Sequence, residues 1–185
     1  MIERKIIVTT TRRSNPRIRS LAKEIALALP AAIKVNRGKM NYLDIFRYAK
    51  SFNADRIIVI CRGLKGNPGK IVFLDVTGSK LKLYPLILKL KGIKLAREAG
   101  IVIERPSSII INARAESEIL DFGMELAGAL ALSFIENAEL YELSTLAESA
   151  LVIEASESLK NFFILKFVDT RTGNLRGPRL VVEKV

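Results

Sequence analysis

Ile6-Ile7-Val8-Thr9-Thr10-Thr11-Arg12-Arg13-Ser14-Asn15-Pro16-Arg17-Ile18-Arg19-Ser20-Leu21 reads as a strand passing directly into a helix. Ile6 to Val8 is an apolar β-type run. Pro16 suits the first helical position, because its φ is already helical and its missing N–H has no partner there anyway. Asn15 or Ser14 supplies the capping oxygen. Ile18, Leu21, Ala22, Ile25 and Leu29 then recur at three- and four-residue spacing, the signature of one buried helical face, and Pro30 ends the run. This predicts a helix over about 16–29. Arg12, Arg13, Arg17 and Arg19 collect around its start, with Lys23 one turn beyond Arg19. A helix start already carries unpaired N–H groups and a partial positive charge. Stability alone favours Asp or Glu there. The collar is either a solvated basic face or a place where a polyanion supplies the missing charge; the planar guanidinium fork suits phosphate.

Beyond the helix, Ala31 to Asn36 reads as a short strand leading into the turn Asn36-Arg37-Gly38-Lys39. Asn41 with Asp44 three residues on is a loose capping box. Leu43, Phe46, Ala49 and Phe52 give the next helix its buried stripe, with Arg47 and Lys50 outside. Arg56 to Arg62 and Ile71 to Val76 are strands. Between them, Gly63 to Lys70 is read as a hairpin loop, since a phosphate loop needs a Lys-Ser/Thr ending and a following helix. Lys80 to Tyr84 alternates basic and apolar, and Ile87 to Leu95 continues the β character.

A shift of 103 residues lays Ile6-Ile7-Val8 on Ile109-Ile110-Ile111 and Leu27-Ala28-Leu29 on Leu130-Ala131-Leu132. A second helix over roughly 116–133 follows, then a short segment near 139–143, a small helix near 144–149 and strands near 150–155, 162–169 and 179–184. Pro85 and Pro178 fall at corresponding places before the last strand of each half. The pattern implies an α/β (α+β) fold of two similar halves, about 1–95 and 96–185, joined by internal duplication into a single domain spanning 1–185. The collar has no copy: Ala115, Glu116 and Glu118 stand where Arg12, Arg13 and Asn15 stand.

Charge follows the same division. The chain has 30 Lys+Arg, 19 Asp+Glu and a formal charge of +11, which points to an anionic partner, nucleic acid before membrane. Residues 1–113 carry 23 basic and 7 acidic side chains, residues 114–160 carry 2 and 10, and residues 161–185 carry 5 and 2. The basic half is therefore the expected polyanion face. The acidic stretch from Glu116 to Glu157 is either plain surface charge or a docking face for a basic assembly protein. With no His and a single Cys, Cys61, the usual zinc sites and Ser-His or Cys-His catalysis are unavailable. Cys61 sits in an apolar run and reads as a buried core thiol. No cofactor or metal is expected. The longest uncharged apolar run, Leu126 to Ile135, is too short to span a bilayer, so a soluble cytoplasmic protein is expected. An enzymatic alternative is a metal-dependent ribonuclease using Asp44, Asp55 and Asp75, although no two of them share a motif.

Thr10-Thr11-Arg12-Arg13 with Pro16-Arg17 and Arg19-Ser20-Leu21-Ala22-Lys23-Glu24, then Leu29-Pro30, Asn36-Arg37-Gly38 and Gly177-Pro178-Arg179, resemble the Brix-domain proteins of ribosome biogenesis, above all the small archaeal members. The resemblance covers essentially the whole chain. Eukaryotic members often carry Gly-Pro-Thr where this chain reads Leu83-Tyr84-Pro85-Leu86. The resemblance implies halves akin to the anticodon-binding domain of class II aminoacyl-tRNA synthetases. It also implies a non-catalytic role binding precursor rRNA, or a guide RNA paired with it, during early assembly of a ribosomal subunit, with the small subunit expected. On this reading Arg12, Arg13, Arg17 and Arg19 grip phosphates and Lys23, Arg37 and Lys39 extend the track, while Arg171, Arg176 and Arg179 in the last hairpin are either a solvated loop tip or a second contact. Aromatic residues are sparse, and Tyr42 and Tyr48 are expected to pack rather than stack on bases, which favours recognition of RNA shape. A transfer-RNA-binding module is the alternative of the same fold.

Overall fold

The computed structural model of the chain describes residues 5–114, 117–156 and 162–184. Ala115, Glu116 and Glu157, which enter the charge argument above, lie outside them. The first half comprises β1 (Lys5–Thr10), α1 (Pro16–Ala28), β2 (Ala32–Lys34), α2 (Tyr42–Ser51), β3 (Ala54–Arg62), β4 (Pro68–Asp75) and β5 (Lys82–Lys94). The second comprises β6 (Ile109–Ala113), α3 (Ser117–Leu130), β7 (Ser133–Glu136), α4 (Leu140–Ser144), β8 (Ser149–Ala155), β9 (Phe163–Asp169) and β10 (Leu175–Lys184).

All ten described strands form one mixed sheet in the order β2-β1-β3-β4-β5-β10-β9-β8-β6-β7. Read inwards from either edge the plan is the same: two parallel pairings, two antiparallel ones, and a central antiparallel seam between β5 and β10. Helices α1 and α3 lie on one face over a continuous core that includes Ile18, Leu21, Ile25, Phe73, Leu88, Phe122, Leu126, Leu165 and Leu180. On it α1 reaches β10, and α3 reaches β4 and β5, so each half's main helix packs on strands of the other. Phe122 stacks on Phe163 at 4.3 Å between centroids. On the opposite face α2 covers Ile7, Ile57, Val59 and Cys61, and α4 separately covers Ile110, Ala150 and Val168.

Several boundaries differ from the sequence reading. Helix α2 buries Ile45, Phe46 and Ala49, while Leu43 is exposed, because at 3.6 residues per turn it lies more than a quarter turn from the middle of that stripe. In the second half the strand lies at Ser133–Glu136 and the small helix at Leu140–Ser144, earlier than expected. The chain leaves α3 through Ala131 in the left-handed region and pairs at once with β6. Pro85 and Pro178 lie inside β5 and β10, not before them. Each sits where the register against the neighbouring strand shifts, so the missing N–H breaks no ladder bond. Arg176 and Arg179 are consequently strand residues, with the loop confined to 170–174.

Two arginines far from α1 and α3 in sequence hold the helix C-termini, which have no basic residue in their last turns. Arg105, between the halves, donates through Nη1 to the carbonyls of Leu29, Pro30 and Ala32 at 2.9, 2.6 and 2.7 Å. Arg56 pairs with Asp75 at 3.1 Å and donates to the carbonyl of Gly128 near the end of α3 at 3.3 Å. Both place a cation at the negative end of a helix.

Candidate nucleic-acid interface

Strand β1 ends at Thr10, and α1 begins six residues later at Pro16. Asn15 fixes this junction twice over. Its Oδ1 accepts the N–H of Ile18 at 3.0 Å, and its Nδ2 donates to the carbonyl of Gly66 in the β3–β4 connection. Gly66 has φ +81, and a Cβ there would lie 2.7 Å from Asn15 Nδ2, so glycine is required on both counts. Pro16 has no N–H, and that of Arg19 goes to the Asn15 carbonyl. The first turn therefore has little backbone N–H left for a ligand; side chains supply the donors.

Those side chains line a cleft of about 620 Å³ at the carboxyl ends of β1 and β2, where open α/β sheets characteristically place their ligands. Its walls are Thr10, Thr11, Arg12 and Ser14 from the β1–α1 connection, Pro16, Arg19, Ser20 and Lys23 from one stripe of α1, and Lys34, Asn36, Arg37 and Gly38 from β2 and the turn after it. Five cations face this space, and no carboxylate lines it. Arg12 donates to the carbonyls of Lys39 and Met40 at 3.2 and 3.4 Å, and Arg37 Nε reaches the same Met40 oxygen at 3.1 Å. Two guanidiniums held against one carbonyl oxygen repel by roughly 2–3 kcal/mol at an effective dielectric constant near 20. Arg37 is only 6 % exposed and lies over the Tyr42 ring at 4.2 Å. Arg19 donates to the Ser14 carbonyl at 2.7 Å. Among the described residues none of Arg12, Arg19, Lys23, Lys34 and Arg37 has a carboxylate partner.

The expected collar is thus brought together in part. Arg12, Arg19, Lys23 and Arg37 converge, joined by Lys34, whose contribution was not anticipated. Its parallel pairing opposite Val8 turns on the strand order, which spacing within one segment does not reveal. Arg17 turns the other way, pairing with Glu98 at 3.2 Å and reaching the Ile93 carbonyl at 3.5 Å. Arg13 and Lys39 are exposed at the rim. Tyr42 and Tyr48 lie on the surface of α2, and Tyr42 packs there as the platform beneath Arg37.

Arg176 has a different task from the one expected of it. At 15 % side-chain exposure it pairs with Glu148 at 2.8 Å, Asp169 at 3.3 Å and Glu104 at 3.6 Å. Glu148 also accepts from the N–H and Oγ of Ser107 at 2.7 and 2.8 Å. These bonds, Ser107 first and Arg176 after, lower the Glu148 carboxyl from 4.5 to about 2. Arg179, by contrast, is exposed. At the corresponding end of the second half, Arg114 and Asn112 donate to the Ala138 carbonyl, Arg114 pairs with Glu139, and Glu118 and Glu136 are exposed.

Asp44 caps α2, and Asp75 is held by Thr77 and Arg56, whose hydrogen bonds and charge outweigh the effect of burial and lower its pKa. Among the described residues no three His, Cys, Asp or Glu side chains form a group able to hold a metal ion. Cys61 is buried, and desolvation raises its pKa against the opposing charges of Lys70 and Arg37. No described helix is long and apolar enough to cross a membrane.

A mixed α/β protein with a central sheet and a cation-lined cleft beside the first βα junction is the class that fold and site define. No family model matches the chain. Among curated proteins it is 31% identical over 129 residues to a "Probable Brix domain-containing ribosomal biogenesis protein" of Aeropyrum pernix, covering 69% of each chain. It is also 31% identical over 183 residues to a protein of the same name from Sulfurisphaera tokodaii, covering 96% of this chain and 92% of that one. The "Crystal structure of probable ribosomal biogenesis protein from Aeropyrum pernix K1" superposes with a TM-score of 0.82 at 26% identity, covering 99% of this chain and 97% of that one. The chain belongs to the Brix-domain family of ribosomal biogenesis proteins.

Proposed function

We propose that the protein is a non-catalytic RNA-binding factor of ribosome biogenesis, acting on precursor rRNA, or a guide RNA paired with it, in small-subunit assembly. The observation that carries the reading is Arg37: a nearly buried guanidinium sharing an acceptor with Arg12, with no carboxylate to neutralise either. A phosphate entering the cleft relieves that repulsion and meets charge-assisted donors from Arg12, Arg19 and Lys23. Backbone contacts of this kind give affinity and register without reading sequence. The exposed rim cations Arg13 and Lys39 lengthen the track, and Arg17, shared with Glu98, contributes less. Arg176 is neutralised internally and is not part of the proposed site.

The same reading takes residues 1–185 as a single domain of two duplicated halves, each akin to a synthetase anticodon-binding domain; the repeated element order supports it. The halves then divide the work. The basic one holds RNA in the cytoplasm, while the acidic one, where Leu140 and Tyr141 stand exposed beside Glu139 and Glu142, docks basic assembly proteins.

The test is binding of an in-vitro-transcribed structured rRNA fragment by the full chain and by the variant Arg12→Glu/Arg19→Glu/Lys23→Glu. With roughly 1.5 kcal/mol or more per charge-assisted contact, loss of affinity by at least about 100-fold is expected. Affinity unchanged by the triple reversal refutes the cleft as the site. Transfer RNA competing as well as the rRNA fragment would assign the protein instead to a transfer-RNA-binding role.

A further inference from the structure

Between the areas covered by α2 and α4, no described helix lies over the second face of the sheet. Strand pairing places Lys94 of β5 directly opposite Arg179 of β10, and Arg179 directly opposite Lys166 of β9. Side chains at paired positions point to the same face. Leu180 and Leu165, next in register, belong to the core beneath α1 and α3, so this row of three cations points the other way, to the open face. Neighbouring strands are about 4.8 Å apart, and like charges set directly across from one another destabilise a sheet. Lys166 has a partner in Glu154; among the described residues Lys94 and Arg179 have none. Five residues back along β5, Lys89 lies in register with Lys70 on the same face and, across the seam, with Glu183, which holds Lys89 at 3.8 Å and Lys91 at 3.2 Å. Between these rows lie the half-buried side chains of Val181 and Ile164, paired with each other, and Gly92 opposite Val181.

The direction of the strands ties this face to the cleft. β1 runs parallel to β3, and β3, β4 and β5 alternate, so β5 runs parallel to β1. Lys94 therefore leaves the sheet at the edge where Thr10 and Thr11 open the cleft. Arg17 marks the passage between the two, its guanidinium reaching the carbonyl of Ile93 next to Lys94.

We infer that the helix-free centre of this sheet face, headed by Lys94 and Arg179, is a second RNA-backbone surface. One RNA runs from the α1 cleft over the sheet edge and across the seam where the two halves join. This rests on the cleft being an RNA site, and makes the seam a ligand surface as well as a structural joint. Glu183 and Glu154 hold Lys89, Lys91 and Lys166, which leaves Lys94 and Arg179 as the cations free to meet a phosphate backbone, whose counterions are released on contact.

The experiment compares the full chain, Lys94→Ala/Arg179→Ala, and the cleft variant Arg12→Glu/Arg19→Glu, using the structured rRNA fragment and polyglutamate as probes. Binding is followed over a salt series, with thermal unfolding recorded for each protein. Two lost contacts should reduce the slope of log K against log salt by about 1.4–1.8 and weaken binding at low salt by about tenfold or more. The melting temperature should hold or rise, because like-charge repulsion has been removed. If the cleft variant loses RNA while Lys94→Ala/Arg179→Ala keeps the wild-type slope and affinity, the sheet surface is refuted and the cleft stands. If neither variant alters RNA binding, the cleft reading fails and this one with it. If Lys94→Ala/Arg179→Ala loses polyglutamate but keeps RNA, the face takes an acidic protein segment and the inference is overturned.

Discussion

Replacing Arg176 with methionine removes the cation that holds Glu104, Glu148 and Asp169 together, and tests whether this arginine is structural. The magnitude follows from Glu148. A carboxyl lowered from 4.5 to about 2 corresponds to at most about 3.4 kcal/mol at neutral pH. Ser107 supplies the larger part and survives the substitution, and Glu148 is about one-third exposed, so solvent screening reduces what Arg176 contributes through it. Asp169, lowered chiefly by the N–H of Thr172 and also by Arg176, adds a smaller amount. The variant should be less stable by about 2 kcal/mol near pH 7, a fall of roughly 4–8 °C for a chain of this length. Because the folded pKa lies below the unfolded one, the stabilisation is complete above about pH 4.5 and disappears as pH falls towards 2. Calorimetric or circular-dichroism melting of both proteins near pH 7, 4 and 2.5 should show the gap shrinking to about half at the lowest value, because the Ser107 bonds remain in the variant and only the part of the shift owed to Arg176 is lost. Affinity of the folded variant for the rRNA fragment should match that of wild type. An unchanged melting point near pH 7 with reduced RNA binding would refute the structural assignment and return Arg176 to the ligand face.

Asn15→Ala removes the α1 cap and the tie to Gly66, and should cost about 1–2 kcal/mol in thermal unfolding; Asn15→Asp keeps the cap and should recover about half. Arg105→Met leaves the carbonyls of Leu29, Pro30 and Ala32 without their cation. Amide exchange should then accelerate around the end of α1 and the start of β2, with about 1.5–3 kcal/mol of stability lost. Cys61, buried with a raised pKa, should resist iodoacetamide in the native protein and react on unfolding; rapid alkylation of the folded chain would contradict its burial.

What the sequence disclosed and what it withheld separate along physical lines. The β1–α1 junction was legible because its signals are local: Pro16 at the first helical position, Asn15 as cap and an apolar stripe that stays in phase over three turns. The same holds for the capping box of Asn41 and Asp44. The repeat of element order was visible because Ile109-Ile110-Ile111 is an apolar β run followed by an apolar-striped helix, the same local signals that mark β1 and α1. Long-range partners left no such mark. Nothing near Arg176 announces three carboxylates from other strands and loops, and nothing near Arg17 announces Glu98. Lys34 entered the cleft through the pairing of β2 with β1, and Lys94 met Arg179 through a seam joining residues from opposite halves of the chain. Prolines read as strand boundaries proved to mark register shifts, because a strand tolerates Pro wherever its ladder is already broken.

Zero-length ultraviolet crosslinking of the wild-type protein to the structured rRNA fragment, with the attached peptides read by mass spectrometry, tests the central claim most directly. Crosslinks on the segments 10–23 and 34–39 that wall the cleft are the predicted result. Crosslinks confined to the acidic segment 117–156, with none on the β1–α1 junction, would contradict it.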